Sequence, residues 1–269
     1  MNKIFPLIAF SVLLFVPINF ENAFAVIFGG IDFPNGVSSF ADSVITYNNL
    51  FGPGPAPTSV NYLNPVQSLG PPDYVDPTGS VSLGRGGLLE VAFDDNVLTN
   101  SGNPTLDLHI FEIGPDVEDT FVSIRPTAAT AALLGPAFDT GVTGYPATIG
   151  DGFYEIGKVF GSTDSIDIDA IFPPAPPGTY AFDAVQLIDD PNEGDDGGAT
   201  VGADIDAVGA ITSMAPPPEN IIGGKIIQIN TTSLLLSYTQ TFSWMIPILL
   251  SGIGIGLFTV YRRSRLASS

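Results

Sequence analysis

The middle of this 269-residue chain predicts an all-β fold, an eight-stranded jelly-roll β-sandwich. Three observations predict it. Eight runs rich in β-branched and aromatic residues recur between Gly, Pro and Asp breaks, at 43–47, 88–93, 106–113, 120–124, 153–160, 165–172, 180–188 and 203–211. Several runs alternate apolar and polar residues with the period of two that a half-buried strand requires. No helical period stands out except at the two ends of the chain.

At the N-terminus, residues 1–25 join one basic residue, Lys3, to an apolar run and close on Ala23-Phe24-Ala25, a small-x-small pattern. This predicts a secretory signal peptide and a mature chain beginning near Val26. The β-sandwich ectodomain is expected over 26–213. Its first strand, 43–47, follows Asp42, and the second, 88–93, follows Gly84-Arg85-Gly86-Gly87, which reads as a bulge or tight turn. The run 106–113 (LDLHIFEI) carries His109, the one histidine of the chain. In 165–172 (SIDIDAIF), Ile166 and Ile168 take one face and Asp167 and Asp169 the other. The last run, 203–211, places Asp204 and Asp206 on one face together with Val208 and Ala210.

Two stretches break the rhythm. Residues 128–150 are weakly patterned and rich in small side chains, so they read as a long inserted loop. Residues 189–202 (DDPNEGDDGGATVG) are acidic and glycine-rich and are not expected to form a strand. Beyond the domain, Ala215-Pro216-Pro217-Pro218 opens a stiff stalk over 214–241, which carries the glycosylation sequon Asn230-Thr231-Thr232.

The stalk ends at 242–261 (FSWMIPILLSGIGIGLFTVY), twenty positions without a charge. At about 1.5 Å per residue this helix is long enough to cross a hydrocarbon core of roughly 30 Å. Arg262, Arg263 and Arg265 follow in the tail, 262–269. Positive flanks stay cytoplasmic, so the expected protein is a single-span cell-surface protein with its N-terminus outside.

Charge and composition narrow the chemistry. Residues 26–241 hold 27 acidic residues against Arg85, Arg125, Lys158 and Lys225, a balance of −23. Such a surface repels the phosphate backbone of nucleic acid, which is excluded as a partner, and attracts divalent cations. There is no cysteine, so no disulfide staples the exported domain. With no cysteine and a single histidine, zinc ligation and a thiol nucleophile are unsupported, and His109 reads as an ordinary strand histidine. Carboxylate pairs such as Asp167 with Asp169, or Asp204 with Asp206, meet the spacing a glycosidase needs, but an acidic chain makes such pairs freely. Calcium, which takes several oxygen ligands, suits the composition better. For Asp204 and Asp206, a solvated face, a catalytic pair and half of a calcium cage all remain open.

A series of motifs occurs in order along the chain: Ser68-Leu-Gly-Pro-Pro-Asp73, Val81-Ser-Leu-Gly-Arg-Gly-Gly87, Asp107-Leu-His-Ile-Phe-Glu112, Asp151-Gly-Phe-Tyr-Glu-Ile-Gly157 and Gly202-Ala-Asp-Ile-Asp-Ala-Val208. Over residues 40–212 this order resembles exported microbial cell-surface modules of the galactose-binding-like, discoidin-type β-sandwich. The C-terminal segment resembles the membrane anchors and sorting signals of archaeal surface proteins. The first resemblance implies structural calcium and a glycan-binding loop end. It places Asp204 and Asp206 in the terminal strand beside the first, with Asp42, Asp73 and Glu112 as further calcium ligands. It also implies a tight Asp-Gly turn where this chain has its 128–150 insertion.

Taken together, the expected protein is a membrane-anchored, calcium-stabilised binding or adhesion module, non-catalytic, with a glycan or an envelope protein as partner. Two alternatives stand beside it: a structural envelope component that binds no glycan, and a carboxylate-dependent glycan hydrolase.

Overall fold

A computed structural model describes residues 25–114, 118–135, 151–161, 163–193 and 197–216. The signal peptide up to Phe24, the stalk from residue 217, the sequon and the 242–261 span lie outside the described residues. Among the described residues no helix is long and apolar enough to cross a membrane. All of them belong to one compact unit that ends at Pro217.

The chain is all-β apart from one short helix and several single 3-10 turns. A hairpin of β1 (Val26–Phe28) and β2 (Ile31–Phe33) comes first. Then follow β3 (Ser43–Asn48), β4 (Val81–Ser82), β5 (Leu88–Ala92), β6 (Val97–Thr99), β7 (Leu108–Glu112) and β8 (Thr120–Pro126). Helix α1 (Ala128–Leu134) precedes β9 (Tyr154–Val159), β10 (Thr163–Ile166), β11 (Ala181–Asp189), β12 (Asp204–Ala210) and β13 (Ser213–Met214).

Two antiparallel sheets carry the domain, a layout compatible with a β-sandwich. One has the order β10-β7-β12-β4. In the other, β11 is central: β5 and β6 pair along one side of it and β8 along the other. Outside these, β3 pairs with β5, β13 with β6, and β9 with β8. The core lies where the inner faces meet. Leu108, Ile110, Ile205 and Val208 of the first sheet join Leu89, Val91, Val122, Ile124, Val185 and Leu187 of the second in one buried cluster. Each of these aliphatic side chains contributes about 1.5–3 kcal/mol by leaving water. Nine-residue β11 suits its central place by sequence, since six of its residues are apolar or small and flank only Asp183 and Gln186 before Asp189.

The first sheet is also covered on its outer side. Phe111 and Ala207 meet Phe33 and Phe40 there, with the Phe33 and Phe40 ring centroids 4.7 Å apart. Gly209 makes room for those rings, because a Cβ at that position would stand 2.6 Å from Phe33. Phe40 also bridges Gly209, and Ala41 N–H donates to Val208 O at 3.0 Å, just before the chain enters β3 of the second sheet. The segment leading into the first long strand is therefore laced to the terminal strand.

Seven of the predicted strands are present, as β3, β5, β7–β9, β11 and β12; β10 overlaps the eighth only at 165–166, and the remaining strands are additions. β1, β2, β4, β6 and β13 have two or three residues each, too few to show a period of two. Three readings need correction. The first part of 128–150 is helical: Thr127 Oγ1 accepts from Thr130 N–H at its N-terminus, Ala-Ala-Thr-Ala-Ala-Leu-Leu follows, and Gly135 closes it with φ 89°. Seven residues are too short to show a helical period in sequence, and 136–150 lie outside the described residues. The predicted strand 165–172 stops at Ile166, because Asp167 Oδ1 accepts from Asp169 N–H and Ala170 N–H and turns the chain into a 3-10 helix, Ile168–Ala170. The third correction concerns β12. Ile205 opposes Glu112 and Ala207 opposes Phe111, so Asp206 is an extra, bulged residue. The bulge transfers Val208 and Ala210 to the face of Ile205, and they do not share a face with Asp204.

Candidate metal centre

Three carboxylates converge at one end of the first sheet. Asp107, Asp167 and Asp169 each place an oxygen within 4.8 Å of the other two. Their positions follow from local hydrogen bonding. Asp107 stands immediately before β7, where its N–H donates to Ile166 O and its carbonyl accepts from Ile211 N–H and Thr212 N–H. The end of β10 and the end of β12 thereby fix its backbone. Asp167 follows β10 directly as the cap of the 3-10 helix, and Asp169 lies within that helix.

The three side chains are held differently. Asp169 Oδ1 accepts from Asn100 Nδ2 at 3.0 Å, and Oδ2 from Ser101 Oγ at 2.9 Å and Gly102 N–H at 2.7 Å. Burial by itself would raise its pKa, but Asn100, Ser101 and the N–H groups of Gly102 and Asn103 hold it below the usual carboxylate range. Asp107 is fully buried, with 0% exposure. Its Oδ2 accepts from Ile168 N–H at 3.0 Å, while Oδ1 has no hydrogen-bond partner. Burial pushes its pKa up to about 6; the Ser101 and Thr212 hydroxyls and Ile168 N–H oppose that rise, and the charge of Asp169 adds to it. Asp167 and Asp169, with Gly102, Asn103, Pro104 and Pro174, line an open groove of about 280 Å³.

The residues expected as ligands are distributed otherwise. Asp42 Oδ2 accepts from Asp94 N–H at 2.7 Å and Asp95 N–H at 3.3 Å, so it caps the turn between β5 and β6. Asp73 and Asp206 do meet: Asp73 N–H donates to Asp206 Oδ1 at 3.0 Å. Burial lifts the Asp206 pKa to about 6, against the N–H groups of Asp73 and Tyr74. Asp204 accepts from Ser82 Oγ and is also lifted to about 6 by burial. Glu112 stands near Asp204 and rises to about 8, first through burial and then through the charges of Glu118 and Asp204. Among the described residues, only the Asp107 trio brings three carboxylate oxygens close enough for one ion, and none of these five belongs to it.

The sequence signals for the trio were weak. Asp167 and Asp169 read as a solvated strand face, and Asp107 is 60 residues from Asp167. Only the β7–β10 pairing, Leu108 opposite Ile166, brings them together.

His109 is placed on β7 opposite Ser165 of β10, and its Nδ1 and the Ser165 hydroxyl are hydrogen-bonded. Burial lowers its pKa to about 4. Its Nε2 is buried with no hydrogen-bond partner, and Ser165 occupies Nδ1, the nitrogen that the carboxylate of a Ser-His-Asp triad would hold. The ring packs edge-on against Phe111 at 4.4 Å between centroids, as a strand histidine in an apolar layer does.

Fold and site together define an all-β domain with an oxygen-only acidic cluster at one end of its sheets. No family model, no curated protein and no solved structure matches the chain.

Proposed function

We propose that this chain is an exported, membrane-anchored binding or adhesion module, non-catalytic and calcium-stabilised, that meets a glycan or an envelope protein outside the cell. The finer reading of its fold is a galactose-binding-like jelly roll. The observation that carries the proposal is the two-sheet antiparallel body itself, with a cross-laced N-terminal segment and acidic loops at its end, set between an export signal and a span read from sequence. A rigid sandwich that displays loops is a common way to present a binding surface.

The non-catalytic part of the reading is supported by where the perturbed groups lie. Glu112 and Asp189, the carboxyls that burial raises to about 8 and about 7, are buried at 6% and 1% exposure, whereas the groove is lined by Asp167 and Asp169. A hydrolase needs its raised acid where substrate can reach it.

The test is a glycan array probed with the full chain in detergent, together with a cross-linking survey of its neighbours in intact envelopes. Binding to a defined glycan class, or capture of one envelope protein, supports the module. A silent array with regular self-cross-linking assigns a structural envelope role, and cleavage of a polysaccharide panel assigns the hydrolase.

A further inference from the structure

Asp107 is the group whose chemistry the surrounding protein leaves incomplete. It is wholly buried, and its Oδ1 has no hydrogen-bond partner, although the Ser101 and Thr212 hydroxyls stand near the carboxyl. A buried carboxylate persists where a proton, a donor or a cation completes it. The ion pairs seen among the described residues take Arg125 to Asp183 and Lys158 to Asp119 and Asp190, and none involves the trio. What the fold brings to Asp107 is two more carboxylates. A proton on Asp107 would quiet one oxygen and leave Asp167 and Asp169 facing each other, whereas a divalent cation answers all three.

We infer that Asp107, Asp167 and Asp169 hold one divalent cation, Ca²⁺ by preference, which ties the start of β7 to the 3-10 turn after β10. This rests on the calcium part of the function proposed above and gives the ion a seat apart from the terminal-strand aspartates. The donor set is oxygen alone, without nitrogen or sulfur, which suits a hard cation and disfavours zinc. The carboxylates come from two segments, Asp107 before β7 and Asp167 with Asp169 at the 3-10 turn, so one ion bridges them. Asp167 and Asp169 line the groove, so the ion has a path from solvent, and water completes the shell on that side.

The experiment is thermal melting of the full chain in detergent, in calcium chloride and in EGTA, for wild type, Asp107→Asn and Asp167→Asn. At calcium about 100-fold above its Kd, the wild-type midpoint is expected to rise by roughly 5–10 °C. Asp107→Asn should lose that rise yet melt in EGTA at or above wild type, because the amide removes an uncompensated charge and its nitrogen can donate to the neighbouring carboxylates. Asp167→Asn should weaken the response without abolishing the fold. Terbium luminescence displaced by calcium in wild type, and absent from Asp107→Asn, provides a readout independent of stability. If both variants respond to calcium as wild type does, the seat is overturned while a calcium-stabilised module stands. Loss of the response in Asp204→Asn, with Asp107→Asn unaffected, moves the ion to the terminal strand and overturns the inference. No response in wild type overturns the cation altogether, and the glycan array still decides the binding role.

Discussion

Asp73 and Asp206, 133 positions apart in sequence, are joined by a hydrogen bond from the Asp73 backbone N–H to Oδ1 of the Asp206 bulge at 3.0 Å. The bond ties the long connection between β3 and β4 to the terminal strand. It is made by a carboxylate that is buried at 3% exposure. Asp206→Ala leaves the N–H without its acceptor and should cost about 1–3 kcal/mol. Asp206→Asn keeps an acceptor and removes the charge, so at pH 8 its melting temperature should equal or exceed that of wild type. Melting curves of the two variants check the order; an alanine variant as stable as wild type would show the bond to be without effect.

Stability should rise as pH falls over a window where acidic proteins are commonly flat. Asp107, Asp204 and Asp206 titrate near 6, Asp189 near 7 and Glu112 near 8, each raised first of all by burial. A carboxyl whose folded pKa exceeds its unfolded value binds its proton more tightly in the native state, so its contribution is present at low pH and is lost as pH climbs through the folded pKa. The window therefore runs from about 8 down to about 4. Asp169 and Asp190, both lowered, work in the opposite sense only below it, whereas His109, lowered to about 4 by burial, opposes the rise between about 6.5 and 4 with a single group against five carboxyls. In EGTA, the midpoint at pH 5.5 should exceed that at pH 8 by at least about 5 °C. A midpoint that falls steadily between pH 8 and 5.5 would contradict the burial of these groups.

The second sheet is organised on β11, and its inward residues should dominate stability. Leu187 has 0% exposure and sits in the main core cluster. Leu187→Ala should cost about 2–5 kcal/mol through lost burial and the cavity left behind. Chemical denaturation would register this as a lower midpoint at an unchanged slope.

The turn into β5 should tolerate no side chain at Gly87. A Cβ there would lie 1.7 Å from Leu83 O, a backbone atom that cannot move aside. Leu83 N–H and Gly84 N–H in turn donate to Ala203 O and Val201 O, so the clash would reach the segment before β12. Gly87→Ala should destabilise by roughly 3 kcal/mol or more, read by melting, whereas Gly30→Ala, where a Cβ meets nothing within 4 Å, should cost less despite its φ of 86°.

What was legible in the sequence was local. Runs of β-branched and aromatic residues between Gly, Pro and Asp breaks mark seven strands within a few residues, whereas only 165–166 of the run 165–172 is strand. Capping is also local: Asp167 and Thr127 end and begin elements through bonds to residues two or three positions away. The metal centre was not legible. Asp167 and Asp169 alternate as a solvated face would, and the one buried member, Asp107, falls inside the predicted strand 106–113 with nothing to mark it as a ligand.

The sequence by itself determined that the domain is all-β, acidic and free of disulfides, since composition and period depend on near neighbours alone. Tertiary structure decided the faces and the partners. A single extra residue at Asp206 transfers Val208 and Ala210 to the inner face, and antiparallel pairing of β7 with β10 sets Asp107 against Asp167 and Asp169. Register is a property of two strands together, and a period of two read along one strand does not specify it.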